Sequence, residues 1–513
     1  MTSVRVLTAA QAAERDSRAI AAGTPSGELM KAAGRAAAAE LLRHAGARAS
    51  AGIDIYAGGG NNGGDAWVVA GTLTAAGFPV RVHEVETPRT ADATAEKSEA
   101  VPALERGARP QGRPGVVVDG LLGTGARGAP RGAVAQACEE IEAARRDGAY
   151  VVALDVPSGL DATTGAHDGA PRADLTVTFG SLKRGQLLAR DWCGTIIVVD
   201  IGLGAHASPE DDAPLLADAE WVRSVVPRIG ADAHKGVRGK VAIVGGAHGM
   251  VGAVLLAGRA ALRSGVGLVK LFVDPANVEL VQRALPEALA ASWPVDDAEA
   301  TALGSWGDAL LVGPGLGRGA HAEALVERCL RGSTVPVVID ADALNAFAGE
   351  PTAFAPLIGT RPALLTPHPL EFARVTGADA AMVNAGRFEV SRQLASIAGA
   401  AVLLKGVPTV VTAPDGRTIV SASGTPVLGQ GGSGDMLAGI AVTLMAQVGS
   451  ALEAGAAAAW VHGRAAELAA PQGEIRGVTL DDVLGALREA WKLEQSPRSP
   501  HVLAELAAVG ERW

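Results

Sequence analysis

Two α/β domains, each built on a largely parallel sheet with helices on both faces, are the fold that this sequence predicts. Three observations carry the prediction. Continuous short apolar runs recur and end in Gly, Asp or Pro, as in GVVVDGLLGTG, YVVALDVPSGL, GKVAIVGGAHG, ALLVGPGLG and PVVIDADAL. Alanine-rich segments of helical length lie between many of them, among them 133–146 and 253–264. Such alternation is the signature of parallel strands buried on both faces. Finally, 513 residues exceed what one core fills, since single cores stop growing at about 250–300 residues. Ligands in such sheets bind at the carboxyl edge of the strands, where the glycines and aspartates of these runs fall.

The strand rhythm breaks between Gly204 and Gly236, a stretch rich in Pro, Asp and Ala, and resumes at GKVAIVGG. Domains are therefore expected over 1–220 and 221–493. The remaining residues 494–513, EQSPRSPHVLAELAAVGERW, read as a peripheral tail with room for one short helix. With 48% hydrophobic and 19% charged residues, the composition is that of a globular chain. The net charge of −10 is spread without basic blocks, which argues against nucleic acid or an anionic membrane as partner. Cys138, Cys193 and Cys329 are odd in number and lack CxxC spacing, as suits a reducing compartment. No apolar run approaches the ~18 residues of a membrane span, so a cytoplasmic protein is expected.

In the N-terminal half, GGGNNGGDAWVVA follows the apolar run IDIYA and continues with helical spacing, which predicts a strand-to-helix turn. Glycines there permit positive φ and let a ligand approach the backbone, and the free N–H groups of a starting helix favour an anion. Asn61, Asn62 and Asp65 add more oxygen-bearing side chains than a turn requires. Asp119 closes GVVVD before the second glycine loop, GLLGTGARGA; Asp155 closes YVVALD before VPSG, with Ser158 at the same edge. The oxygens of Asn62, Asp119 and Ser158 suit a hard cation. Any one aspartate is more simply a turn cap; three strand ends together point to a site.

The C-terminal half carries GQGGSGDMLAGIAVTLMA, a glycine turn opening a helix with Asp435 in its first residues. Glycine N–H groups can hold phosphoryl oxygens while an aspartate takes a proton from an attacking hydroxyl. A GxGD stretch alone also fits a helix cap. His368 and Lys405, taken singly, are an ordinary loop histidine and a solvated cation.

The motifs TAAQAAERDSRA, GELMKAAG, GNNGGD, VDGLLGTG and LDVPSGLDATTG, spread over roughly residues 1–215, resemble the NAD(P)H-hydrate epimerase domain. The resemblance implies a three-layer Rossmann-like fold and inversion at C6 of hydrated NADH or NADPH (NADHX and NADPHX). It implies that Asn61, Asn62, Gly63, Gly64 and Asp65, with Gly123, Thr124, Gly125, Ala126, Arg127, Gly128 and Ala129, hold the substrate. Asp155 contacts it, and Asn62, Asp119 and Ser158 bind potassium. Inversion needs a proton donor and acceptor near C6, and Asp155 is the candidate. Ala66 stands where that family commonly has glycine.

From about His234 to Leu493, HKGVRGKVAIVGG, AALRSGVGL, VGPGLG, DADALN, TPHPLEF, LLKG and GGSGD resemble the ADP-dependent NAD(P)H-hydrate dehydratase family, of ribokinase-like α/β/α fold. The resemblance implies that Ala253, Gly315, His368 and Asp435 contact the hydrated nucleotide. Lys405, Gly406, Val407, Pro408, Thr409, Gly432, Ser433 and Gly434 then face ADP, with Mg2+ expected on the phosphates. The sequence departs from that family's pattern at Thr425–Gln430, in KGVPT for KGAGT and in HPLE for HPGE; Pro408 removes a backbone donor. The implied reaction is activation of the C6 hydroxyl by phosphoryl transfer, with Asp435 as base, and loss of phosphate to restore NAD(P)H. Joined, the halves imply a bifunctional repair enzyme and, from the family, a homo-oligomer. The alternatives are a ribokinase-like vitamin or sugar kinase with an N-terminal nucleotide-binding domain, or a non-catalytic nucleotide-binding module.

Overall fold

The structure, a computed structural model, describes residues 4–203, 212–471, 473–494 and 498–510. It divides into two compact units, Met1–Ala213 with Ser496–Val509 and Pro214–Gln495 with Gly510–Trp513. Both are helix-covered α/β sheets, the class that the apolar runs predict. Among the described residues no helix is long and apolar enough to cross a membrane.

The first unit holds a seven-stranded sheet in the order Val502–Leu506, Thr195–Val199, Leu175–Phe179, Tyr150–Leu154, Val116–Gly120, Ile53–Ala57, Val80–Glu84. All neighbours are parallel except Val502–Leu506, which runs antiparallel to Thr195–Val199. Alternate residues feed opposite cores: Ile53 and Ile55 pack with Leu41 and Leu73, whereas Tyr56 and Val117 pack with Cys138 and Ile141. From Ile53–Ala57 the chain goes outward to Val80–Glu84 and then crosses to Val116–Gly120 on the other side. The strand order therefore reverses beside Ile53–Ala57, and such a switch point opens a crevice at the carboxyl ends.

The second unit has ten strands in the order Leu289–Ser292, Leu268–Val273, Lys240–Val244, Ala309–Val312, Val337–Ile339, Ala363–Leu365, Ala401–Leu404, Thr409–Thr412, Thr418–Ser421, Leu215–Leu216. Pairing is parallel through Ala401–Leu404, followed by an antiparallel meander. Here the order reverses between Lys240–Val244 and Ala309–Val312. Val241 and Ile243 face one core with the helices Ser433–Met445 and Ala451–Ala469; Ala242 and Val244 face the other with Leu325 and Phe354.

Two expectations are corrected. Residues 204–211 of the interrupted stretch lie outside the described residues, but Leu215–Leu216 already pairs with Thr418–Ser421, so the second sheet recruits chain before residue 220. The tail is not a peripheral segment with a helix: Val502–Leu506 is a strand. Its Ala, Leu and Glu content favours a helix, yet Thr195–Val199 would otherwise be an open sheet edge, and pairing there overrides local propensity. His501 Nε2 lies 2.8 Å from the buried Glu40, and Arg43 bonds Glu505 at 3.0 Å, fixing the strand at both ends.

Candidate active sites

In the first unit the glycines of GGGNNGG serve packing. None of Gly58, Gly59, Gly60, Gly63 or Gly64 has positive φ, which corrects the expectation of left-handed backbone. A Cβ on Gly58 would lie 2.0 Å from the Leu121 carbonyl oxygen, and one on Gly63 1.8 Å from that of Gly58. The two strand ends at the switch point touch through backbone, and only glycine allows it. The helix Asn61–Ala75 starts at once, and no side chain caps its N-terminus. Its first N–H groups are left for an anion.

A cavity of about 590 Å3 opens there, lined by Gly60, Asn61, Asn62, Asp65, Gly123, Thr124, Gly125, Ala126 and Asp155 together with Asp16 and Lys183. That volume is within the range of roughly 300–1,000 Å3 typical of small-molecule sites. Gly63 and Gly64 are buried in helix packing, and Arg127, Gly128 and Ala129 lie outside the lining. Ser158 is fully buried, donates from Oγ to Asp119 Oδ1 at 2.5 Å and from its N–H to Oδ2 at 2.8 Å. Asn62 donates to the Leu122 carbonyl at 2.9 Å, and its buried Oδ1 has no partner among the described residues. This oxygen-only set, with one orphaned acceptor, suits a hard cation. Burial pushes the Asp119 carboxyl up, against the Ser158 bonds.

Lys183, which the sequence reading missed, is the partner of Asp155. Its buried Nζ donates to Asp155 Oδ1 at 2.5 Å, Thr178 Oγ1 at 2.8 Å and the Phe179 carbonyl at 3.1 Å. Gln186 Nε2 donates to the Asp155 carbonyl at 2.7 Å. These contacts hold Asp155 in a left-handed conformation, φ 62°, a strain that side chains other than glycine carry chiefly at functional positions. Burial, with Asp155 as a like-charged neighbour, pushes Asp65 well above the usual carboxylate range and also raises Asp16. The run LTVTFGSLKRG places Lys183 just past a strand end, a visible signal; its pairing with a residue 28 positions earlier is tertiary.

The second unit repeats the switch-point contact. A Cβ on Gly245 would lie 2.1 Å from the Pro314 carbonyl oxygen, and one on Gly315 3.0 Å from Ala253 Cβ, so Ala253 and Gly315 meet. Gly432, at φ 97°, turns the chain into the helix Ser433–Met445, whose first turn presents Asp435. Lys405 is half-buried: Nζ lies 2.9 Å from Asp340 Oδ1, 3.6 Å from Glu371 Oε2 and 3.2 Å from where a Gly434 Cβ would stand. Burial lowers the ammonium, but Asp340, Glu371 and Asp435 together raise it. Asp435 is pushed up to about 7, first by burial and then by Asp340.

His368 caps the helix Pro369–Thr376 and shares a reciprocal box with Glu371, whose Oε2 accepts the His368 N–H at 2.8 Å. Burial lowers its imidazole. The 405–409 loop is tied from behind: Arg387 donates to the Pro408 carbonyl at 2.7 Å, and Thr409 Oγ1 to the Gly406 carbonyl at 3.0 Å, leaving Val407 exposed. Ser433 Oγ donates to the Leu428 carbonyl at 2.6 Å, and Gln430 to that of Val478 at 2.7 Å, so the divergent 425–430 segment is anchored. The sequence reading also missed Asp340, Glu371 and the buried His462, whose Nε2 has no partner among the described residues and whose imidazole burial lowers to about 4.

Comparison with known proteins matches both halves. Residues 26–185 fit the family of YjeF-related protein N-termini, and residues 241–488 the NAD(P)H-hydrate dehydratase family. The bifunctional NAD(P)H-hydrate repair enzyme of Moorella thermoacetica is 36% identical over 467 residues, 85% of this chain and 86% of that one. The Escherichia coli enzyme of the same name is 34% identical over 449 residues, 85% and 84% of the two chains. A crystal structure of the ADP/ATP-dependent NAD(P)H-hydrate dehydratase of Bacillus subtilis with ATP and Mg2+ is 30% identical, covering 54% of this chain and 97% of that one at TM-score 0.48. With both halves matched in order and more than a third of the residues shared along most of a relative's length, the chain belongs to the bifunctional NAD(P)H-hydrate repair enzymes.

Proposed function

We propose that the first unit interconverts the R and S epimers of hydrated NADH and NADPH, and that the second dehydrates the S epimer with ADP, releasing AMP and phosphate. One observation carries this reading: each unit separately presents an aspartate and a lysine beside a helix N-terminus at its strand ends, Asp155 bonded to the buried Lys183, and Asp435 within the electrostatic reach of the half-buried Lys405. In the first unit the N–H groups of the Asn61 helix and the Gly123–Ala126 loop bind the dinucleotide pyrophosphate. Asp155, its charge balanced by Lys183, accepts and returns the proton near C6. Potassium would be held by Asn62, Asp119 and Ser158 and would supply fixed positive charge behind the phosphates.

In the second unit, Ala253, Gly315 and His368 orient the hydrated ring and the 405–409 loop faces ADP. Asp435 takes the proton of the C6 hydroxyl, whose oxygen attacks the terminal phosphoryl group; AMP leaves. The ring nitrogen then expels phosphate from C6, and loss of the adjacent ring proton restores the dihydronicotinamide. A carboxyl at about 7 suits a base working near neutral pH. Mg2+ carried by the donor's phosphates would neutralise their charge. The N–H groups of Gly432–Gly434 and the Lys405 ammonium hold the phosphoryl oxygens. A self-associating cytoplasmic enzyme acting on the cell's own nicotinamide pool completes the reading.

Incubation of the full chain with mixed epimers, ADP and Mg2+, followed by chromatography, tests it. Both epimers are expected to disappear with one AMP and one phosphate per NAD(P)H formed. Survival of both epimers would refute the reading, and a stable phosphorylated product would favour the kinase alternative.

A further inference from the structure

We propose that the second unit carries an additional site for a nucleoside polyphosphate, in a basic cavity remote from Asp435. The cavity, about 810 Å3, lies where the helices Val251–Arg263, Ser433–Met445 and Leu480–Ala490 end. Among the described residues five cations line it, Arg223, Arg228, Arg263, Arg488 and Lys492, and no carboxylate does. On a chain of net charge −10 that is a local reversal of sign. Arg223 donates to the Leu493 carbonyl, and Lys492 pairs with Glu489 at 2.5 Å. Arg228, Arg263 and Arg488 have no hydrogen bond or ion pair among the described residues.

A basic residue in the last turn of a helix complements its dipole, which accounts for Arg263 and Arg488 singly. The same holds for Arg223 in the last turn of Ala219–Val225, but not for Arg228, which lies beyond that helix, nor for the convergence of all four on one cavity. The carbonyl ends of three helices repel an anion, so side-chain guanidinium groups must do the holding, and they are the groups that bind phosphate in bidentate fashion. The same lining holds the apolar Trp491, Pro227 and the exposed Ile229, and the buried Trp491 indole N–H has no acceptor among the described residues. A planar base against these apolar groups with phosphates on the arginines uses both parts of the lining.

Backbone strain points the same way. The described residues include three non-glycine residues at positive φ: Asp155, Ala341 and Leu493. The first is the proposed base of the first unit, the second lies between Asp340, which bonds Lys405, and Asp342, and Leu493, at φ 53°, lines this cavity. The helices that end here begin at the other site, with Ala253 and Asp435 in their first turns, about 20 Å away at 1.5 Å per residue.

Equilibrium dialysis of the full chain with labelled ADP, compared with Arg263→Ala/Arg488→Ala, counts the sites whether or not the chain turns over hydrated nucleotide. The double variant is expected to lose one ADP equivalent per chain, the salt-sensitive one, and to keep its dehydration kcat. Equal counts in the two proteins would overturn the proposal. Tripolyphosphate is expected to compete for that equivalent at least tenfold more weakly than ADP. Equal competition would overturn the nucleotide assignment, because the ring would then contribute nothing.

Discussion

The two units solve one geometrical problem alike and one electrostatic problem differently. At each switch point a glycine lets the first strand end touch the next loop through backbone, Gly58 against Leu121 and Gly245 against Pro314. Each site then stores strain in one non-glycine residue, Asp155 in the first and Ala341, between Asp340 and Asp342, in the second. The lysines part company. Lys183 spends its charge on Asp155 itself at 2.5 Å. Lys405 pairs with Asp340 and Glu371 instead, and Asp435 is left raised to about 7. The two lysines thus differ in partner: one bonds the proposed base itself, the other bonds the acidic groups around it.

The strongest way to break this comparison is Asp435→Asn. Dehydration should fall by about 10²–10⁴, the usual contribution of a general base, while epimer exchange continues; a dehydratase that keeps its rate would remove Asp435 from the mechanism. The wild-type dehydration rate should rise with pH as this group ionises around 7. Stability should respond in the opposite sense. Because the folded carboxyl holds its proton above the ordinary 3.8, its contribution is full below about pH 4 and is lost as pH rises through 7. The asparagine variant should therefore gain about 2–4 kcal/mol at pH 8 and almost nothing at pH 4. Calorimetry at the two pH values reads the difference.

Lys183→Met probes the other arrangement. It strands a buried carboxylate, which costs about 3–5 kcal/mol when one partner of a buried pair is removed. Epimer exchange should drop by about 100-fold or more, with dehydration of pure S epimer unchanged. Lys183→Arg, which keeps the charge, separates the electrostatic role from folding: if it restores stability without exchange, the ammonium itself takes part in positioning. Unchanged exchange in Lys183→Met would end the claim that this lysine balances Asp155.

The smallest effect concerns strain. Ala341 sits at φ 51°, ψ −121°, a region costing about 1–3 kcal/mol for a residue with a Cβ. Ala341→Gly should add about 1 kcal/mol after the entropy of the glycine is subtracted. A denaturant midpoint that falls would mean that the surrounding contacts, not the backbone, set the energy there.

Much of both sites is legible in the sequence because strand ends carry their own punctuation. Asp119, Asp155 and Asp435 each follow an apolar or glycine-rich signature that places them at a carboxyl edge or helix start. The reason for the glycines was misread: the sequence suggests positive φ, and the structure assigns close backbone contact. Lys183, Asp340 and Glu371 stayed hidden, because an ordinary lysine or glutamate gains meaning only from the group that it meets across the sheet. The same holds for the tail, whose composition favours a helix and whose place at a sheet edge makes it a strand.

The order of apolar runs, glycine turns and acidic strand ends was enough to determined two α/β domains and the loops that carry their chemistry, since periodicity and turn chemistry are local properties of a chain. Which lysine neutralises which aspartate, which carboxyl is raised, and where Val502–Leu506 pairs were decided by tertiary structure alone. Burial and charge pairing depend on residues far apart in sequence, and their energies exist only once the sheets have brought those residues within a few ångströms.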